Sequence, residues 1–347
     1  MRVLVTGGAG LVGSHSAEFF AKENSKNEVI VLDNLMRSQI FGYDKDSVEF
    51  NWNYLKNYKN IERIKGDVRN DKDLSKAIGK GVDVIIHTAG QPGVPSSVRM
   101  PKEDFSINAF GTLNVLEAAR KTSKETVIIY CSTNKVYGEN VDKFPLEELE
   151  KRYAFKGVSG VNEEVSTDLT GHTPYGVSKL VGDLYVQEYS HIYKMKTAVF
   201  RMSCTYGTRQ FGFEDQGWVA WFIIATLFNK PITIYGNGKQ VRDMLYVDDL
   251  VDAFNAFINS DLKRGLFNIG GGPDNTISLL EFLDELKLLI YKKPQVDFAD
   301  WRPSDQKVYI SDTKKLESAL SWKAKVSVKE GIRKLSEWIK ANESYFK

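Results

Sequence analysis

Val3-Leu4-Val5-Thr6-Gly7-Gly8-Ala9-Gly10-Leu11-Val12-Gly13 is an apolar run that closes on glycines, and helix-forming residues follow it to about Glu23. A second apolar run, Val29 to Leu32, ends on Asp33. Strand, glycine turn, helix and strand within 33 residues have a specific physical meaning. Glycines let the turn close and let the backbone approach a pyrophosphate, and the helix N-terminus then faces the phosphate charge. Asp33 falls 20 residues after Gly13, where a carboxylate can hydrogen-bond both ribose hydroxyls of a dinucleotide. A carboxylate there repels a 2′-phosphate, which favours NAD over NADP, although Arg37 stands close by. The expected contacts are Gly7, Gly10, Leu11, Val12, Gly13, Asp33 and Asn34, with NAD as the cofactor.

Working outward, the alternation continues. Ile61 to Lys65 reads as a strand leading to Asp67-Val68, and Asp71 to Ile78 as a helix. Val82 to His87 reads as a strand leading to Ala89-Gly90-Gln91. A helix is expected from about Lys102 to Lys121, carrying Asn108, and Thr126 to Cys131 is a strand closing on Ser132-Thr133. Strands alternating with helices predict an α/β fold, a Rossmann-type doubly wound parallel sheet. In such sheets ligands sit beyond the carboxyl ends of the strands, so Asp67, Val68, Ala89 and Gln91 join the expected cofactor contacts, as does Asn108 on its helix. After Arg201 short strands and helices mix around Gly236-Asn237-Gly238 and Gly270-Gly271-Gly272. That predicts a smaller mixed α/β domain over 201–347 after a dinucleotide domain over 1–200, with the chain returning to the first around 240–260.

Phe41 to Asn60 and Glu139 to His172 show no clear period. Segments that long are uncommon in a compact domain unless functional. The second reads either as surface elaboration or as a lid over a substrate.

Basic and acidic residues balance at 47 and 45, a net charge of +2, which gives no electrostatic argument for nucleic acid or a membrane surface. The longest apolar run, Trp218 to Phe228, is shorter than the roughly 20 residues a spanning helix needs and reads as a buried helix. Met1-Arg2 leads straight into the first strand, so no signal peptide is expected. Cys131 and Cys204 sit among apolar residues and read as free thiols of a reducing compartment, hence cytoplasmic. Four histidines are scattered without metal-ligand spacing, and no metal is expected.

Thr173-Pro174-Tyr175-Gly176-Val177-Ser178-Lys179 opens a helix-forming run to about Tyr193. Pro174 suits the first turn, and Tyr175 and Lys179, four apart, share one face. A tyrosine of pKa about 10 becomes a base near neutrality only beside positive charge. Lys179 supplies one such charge, and an oxidised nicotinamide would supply another. Thr133, at its strand end, can set a hydroxyl beside the same substrate oxygen. Together Thr133, Tyr175 and Lys179 are the expected catalytic residues of a hydride-transfer site.

The glycines at 7, 10 and 13, with the Tyr175/Lys179 pair, resemble the extended short-chain dehydrogenase/reductases. More closely, they resemble the NAD-dependent nucleotide-sugar epimerase/dehydratase family. The resemblance extends to Val241-Arg242-Asp243 ahead of Tyr246-Val247-Asp248-Asp249 and to Arg302-Pro303-Ser304-Asp305. It implies that Arg242 and Arg302 hold the diphosphate of a nucleotide-diphosphate sugar, a role suited to the guanidinium fork. It also implies substrate contacts at Ser96, Ser97, Asn134, Arg209 and Gln216, and a homodimer or homotetramer paired through the helices of Asn108 and Tyr175.

Sugar 4,6-dehydratases of this family carry Asp-Glu after the Ser-Thr strand end, whereas this chain has Asn134-Lys135. Ser132-Thr133-Asn134-Lys135-Val136-Tyr137-Gly138, Arg209-Gln210-Phe211, Asp215-Gln216-Gly217-Trp218 and Gly236 to Asp243 resemble instead the subgroup of CDP-sugar 2-epimerases, the CDP-paratose/CDP-tyvelose type. That implies oxidation at C2, a 2-keto sugar that turns in the site, and re-reduction of its other face. Pro92-Gly93-Val94-Pro95 and Cys204-Thr205 depart from the subgroup. The residues themselves support only reversible oxidation of a carbinol. C4 inversion of a UDP-sugar stays open, as does, more remotely, a non-catalytic NAD-binding sensor or scaffold.

Overall fold

The computed structural model describes residues 1–41, 46–302 and 304–347. The chain divides into two compact units. Met1–Val136, Thr173–Arg201 and Val251–Phe267 form the first, and Tyr137–His172, Met202–Leu250 and Asn268–Lys347 the second.

The sheet of the first unit has seven strands, in the order Arg264–Ile269, Thr197–Met202, Val127–Thr133, Val84–His87, Arg2–Thr6, Glu28–Asp33, Ile61–Lys65. Its central pairs run parallel, with Val5 opposite both Val31 and Ile86. Val3, Leu4 and Val5 are fully buried, as expected of parallel strands covered on both faces. From Arg2–Thr6 the chain winds outward through Glu28–Asp33 and Ile61–Lys65, then crosses back to Val84–His87 on the other side. The register sets Thr6 beside His87 and Asp33 beside Lys65. The segments that follow these strands therefore emerge on one edge, at the switch point where such sheets bind ligands. On one face Leu4, Ile30 and Leu32 pack with Leu74, Leu116 and Val186 from three helices, Asp71–Ile78, Gly111–Thr122 and Pro174–Tyr193.

The helix expected from Lys102 to Lys121 is not uniform. Pro101–Phe105 and Gly111–Thr122 are α-helical, and Ser106–Phe110 between them is wound as a π-helix. Thr112 Oγ1 takes up the Asn108 carbonyl at 2.6 Å, and Gly111 packs so close to Val68 that a Cβ would lie 2.7 Å from Cγ2. The irregularity sits at Asn108 itself, and such bulges concentrate at functional sites.

In the second unit Val241–Asp243 pairs antiparallel with Thr276–Ser278 and parallel with Val308–Tyr309. Pro231–Tyr235 pairs with Gln295–Ala299, and Thr205–Tyr206 with Leu245–Tyr246. Trp218–Leu227 is a buried helix, its Trp218 ring 5.0 Å from Phe282 of the helix Leu279–Ile290. The stretch 139–172, which shows no period in sequence, is ordered in this unit. Leu146–Glu148 and Tyr153–Phe155 form an antiparallel pair, and Tyr153 packs with Val241 and Val308. Asn268 organises the rest: Nδ2 donates to the Val161 carbonyl (2.8 Å), the backbone N–H to Glu163 (2.6 Å), and Oδ1 accepts from the Tyr137 hydroxyl (2.7 Å). In the other aperiodic segment Asp46–Tyr54 is helical, while 42–45 lie outside the described residues. Both segments are held by contacts distant in sequence, which leave no period to read.

Among the described residues no helix is long and apolar enough to cross a membrane, and no group of three His, Cys, Asp or Glu could hold a metal ion.

Candidate active site

The glycine turn leaves little room for side chains of its own. Gly7, at φ +69°, has no room for a side chain, since a Cβ would lie 2.6 Å from the Ala89 nitrogen. A Cβ on Gly13 would run into the Gly7 carbonyl. Gly10 caps the helix Leu11–Glu23 without a side-chain bond, and no acid stands in its first turn. The first N–H groups of that helix, at Leu11, Val12 and Gly13, precede the first intrahelical donors. A cradle that side chains would fill, open to a helix N-terminus, fits the pyrophosphate of a dinucleotide.

Asp33 ends its strand with both oxygens fixed: Oδ2 accepts from Ala9 N–H (2.9 Å) and Oδ1 from Leu35 N–H (2.8 Å). Burial raises its carboxyl, and these two N–H bonds oppose that. Asn34 Nδ2 donates to Asp67 (2.9 Å), and Arg69 forks onto the same carboxylate at 2.7 and 2.9 Å. Burial pushes the Asp67 carboxyl up, but the bonds from Arg69 and Asn34 outweigh it and hold it at about 2. Val68 is buried beside Gly111. Asp33, Asn34, Asp67 and Val68 thus adjoin at the ends of neighbouring strands, where a ribose and base would follow the pyrophosphate.

Thr173 caps the helix Pro174–Tyr193 by accepting from Gly176 N–H at 3.2 Å, which fixes where the Tyr175 turn begins. Thr133 neighbours the Tyr175 hydroxyl and favours its ionised form. Burial outweighs this and pushes the phenol up to about 12. Burial also draws Lys179 down to about 8, and its ammonium lies over the Tyr130 ring, 4.2 Å from the centroid. The structure therefore brings Thr133, Tyr175 and Lys179 into one cluster.

Gln91 and Asn108 interlock. Gln91 N–H donates to Asn108 Oδ1 (2.8 Å), and Asn108 Nδ2 donates to the Gln91 carbonyl and to Ser178 Oγ, each at 3.1 Å. The Gln91 backbone can only donate there, so the orientation of the Asn108 amide is settled by chemistry. Ala89 stands over Gly7. Three groups that sequence reasoning missed complete the cluster: Asp104, Asp183 and Arg201, all buried. Asp183 and Asp104 carried a faint signal, lying four residues from Lys179 and from Asn108 on their helices.

Ser96 and Ser97 are both buried in the short helix Val94–Arg99, and the Ser97 hydroxyl donates back to the Val94 carbonyl at 2.7 Å. Asn134 follows Thr133, with Oδ1 3.3 Å from Thr133 Oγ1. In the second unit Arg242 meets Asp305 at 2.7 Å, and Arg302 meets Asp215 at 3.0 Å while lying 3.9 Å over Tyr235. Arg209 is buried at φ +60°, and Gln216 bridges Phe213 through its backbone. Pro303 of the second arginine motif lies outside the described residues.

A parallel nucleotide-binding sheet with a Tyr/Lys pair at its ligand edge defines the class. Residues 3–270 match the NAD dependent epimerase/dehydratase family, and the chain belongs to it. It is 40% identical to the CDP-paratose 2-epimerase of Salmonella typhi, over 97% of this chain and 99% of that one. The UDP-glucuronic acid 4-epimerase of Bacillus cereus, solved with UDP-glucuronic acid and NAD, superposes with a TM-score of 0.83 at 27% identity, covering 99% of this chain and all of that one. The UDP-glucose 4-epimerase of Thermotoga maritima, solved with UDP-glucose, gives 0.81 at 27%, with the same coverage.

Proposed function

We propose that the chain is an NAD-dependent nucleotide-sugar epimerase that inverts C2 of a CDP-hexose. The observation that carries the reading is the placement of Thr133 beside the Tyr175 hydroxyl, with Asn134 and Lys135 following it instead of carboxylates. The pair can move one proton at a sugar hydroxyl, while elimination of water needs an acid and a base that those positions lack. Tyr175 takes the hydroxyl proton and returns it, Thr133 orients the oxygen, and Lys179 supplies positive charge one turn away. Bound NAD supplies the hydride acceptor and donor, held by the glycine turn, Asp33, Asn34, Asp67 and Val68, with Ala89, Gln91 and Asn108 at the other end. Ser96, Ser97 and Asn134 are assigned to the sugar, as are Arg209 and Gln216. Arg242 and Arg302 are assigned to the diphosphate. The choice of C2 and of cytidine rests on the similarity to the Salmonella enzyme.

Partly exposed apolar side chains on the helices of the first unit, Phe105, Phe110, Val177, Leu184, Tyr185 and Ile192, support self-association as a homodimer or homotetramer in the cytoplasm. The test of function is to denature the purified protein, identify the released cofactor by mass spectrometry, and follow CDP-, UDP- and GDP-sugars by NMR. Inversion at C2 of a CDP-sugar is expected. Inversion only at C4 of a UDP-sugar replaces the reading.

A further inference from the structure

Lys179 is buried with its ammonium at the face of Tyr130, and a buried charge is costly unless negative charge faces it. Two carboxylates act on it, Asp183 and Asp104. Geometry ties the second to it: a Cβ on Gly90 would lie 3.0 Å from Asn108 Oδ1 and 4.0 Å from Lys179 Nζ, and Asp104 accepts from that same Asn108 amide. Asp183 has a cation of its own. Arg201 reaches it with Nε at 2.9 Å and a terminal nitrogen at 3.2 Å, and Ser132 (2.7 Å) and Gln187 (2.7 Å) donate to the same carboxylate. Asp104 is arranged differently. It is 1% exposed on the helix Pro101–Phe105. Its Oδ1 accepts from Gln91 Nε2 at 2.9 Å and Asn108 Nδ2 at 3.1 Å. Its Oδ2 has no hydrogen-bond partner of its own. The Ser178 hydroxyl lies within reach but donates to the Tyr175 carbonyl at 3.1 Å.

We propose that Asp104 is a positioning residue that acts through Lys179: one oxygen locks the Gln91 and Asn108 amides, and the ionised carboxylate is the counter-charge that keeps the Lys179 ammonium protonated. The assignment rests on the reading of Lys179 as the working cation beside Tyr175.

The other groups facing Lys179 do not take this role. The Cys131 thiol is pushed up to about 12 by burial and stays neutral. His87, between Thr6 Oγ1 at 2.7 Å and Thr112 Oγ1 at 3.0 Å, is held down to about 3 by burial and then by Lys179, so it adds no charge. Tyr130 offers the ammonium its ring, and its hydroxyl donates to the Lys179 carbonyl at 3.3 Å. Asp183 is neutralised by Arg201. Removing the Asp104 charge should therefore carry the Lys179 titration toward neutrality. Burial acts on Asp104 in the opposite sense and raises its carboxyl, so the pair is mutually dependent: each holds the other charged.

The test is a pH titration of the holoenzyme labelled with ¹³Cε-lysine, with the Lys179 signal assigned by Lys179→Arg. Wild type is expected to titrate near 8, and Asp104→Asn lower by roughly one unit. The alkaline limb of turnover should move the same way, with retained NAD and melting temperature nearly unchanged. A Lys179 midpoint that stays or rises in Asp104→Asn overturns the proposal, whatever the substrate proves to be. If that variant does not fold, wild type still decides. Asp-Phe occurs only at 104–105 and 297–298, so paired ¹³C-Asp, ¹⁵N-Phe labelling selects two aspartates, and Asp297→Asn leaves only the Asp104 carboxyl. A carboxylate signal at pH 7 is expected, and a carboxylic acid signal overturns the assignment.

Discussion

Ser132 donates its hydroxyl to Asp183 at 2.7 Å, and so ties the strand that ends in Thr133 to the helix that begins at Tyr175. Asp183 sits one turn beyond Lys179, and its carboxylate is clamped from below by Arg201. The spacing between the Thr133 and Tyr175 hydroxyls is thus set by a buried ion pair rather than by the loop that joins them.

Arg201→Met should leave the Asp183 charge buried and unmatched. Losing one partner of such a pair is expected to destabilise by about 3–5 kcal/mol. Urea unfolding checks this. The double variant Asp183→Leu/Arg201→Met should lose less than the two single changes summed, because no orphan charge remains.

Tyr175→Phe should reduce turnover by roughly 10²–10⁴-fold, the usual weight of one proton-transfer group, with NAD still retained. Steady-state assay of a proven substrate, with absorbance of the bound cofactor, separates this from misfolding. Unchanged turnover would remove Tyr175 from its assigned role.

Lys179 gives a pH dependence with a definite sign. Its folded pKa, about 8, lies below its ordinary value of 10.5. Between those values the unfolded chain binds more protons, so the contribution of this group to stability rises with pH. Below pH 8 its burial penalty is complete. Relative to Lys179→Met, wild type should therefore gain stability as pH rises from about 8 toward 10. Turnover should move the other way, falling above about 8 as the ammonium is lost. Denaturation midpoints and pH profiles on the same samples test both signs.

Gly13→Ala places a methyl against the Gly7 carbonyl, inside the turn that would hold the pyrophosphate. The purified variant should carry little NAD, read as the ratio of cofactor to protein after denaturation. Full occupancy would contradict the placement of the cofactor.

Local pattern made much of this legible. The first helix ends at Glu23 and the Tyr175 helix at Tyr193, as their sequences suggest, because caps, a Pro at the first turn and apolar spacing are short-range signals. What stayed hidden was long-range. The pair Asp183–Arg201 spans 18 residues, Ser132–Asp183 spans 51, and Asn268 reaches back 107 residues to Val161. Neither periodicity nor propensity records such contacts. The π-helical turn at Asn108 was hidden for the same reason, since it answers to packing of Gly111 on Val68. The insertion 139–172 looked structureless because its order comes from Asn268 and Tyr153 and not from its own pattern.

Arg242 and Arg302 each already hold a carboxylate, Asp305 at 2.7 Å and Asp215 at 3.0 Å. Both guanidinium groups are partly exposed, so these pairs are not worth much to stability. Their use lies in orientation: each acid holds the planar fork in place, and a diphosphate can then accept the remaining N–H groups in bidentate fashion. Lysine keeps the charge and loses the fork. Arg242→Lys should therefore raise KM for a nucleotide sugar by roughly tenfold or more, the equivalent of about 1.4 kcal/mol, with kcat changed far less. Asp305→Asn should weaken binding in the same direction but by less, because the guanidinium survives unclamped. If instead both substitutions lower the melting temperature and leave KM unaltered, the arginine is a structural group and the diphosphate lies elsewhere.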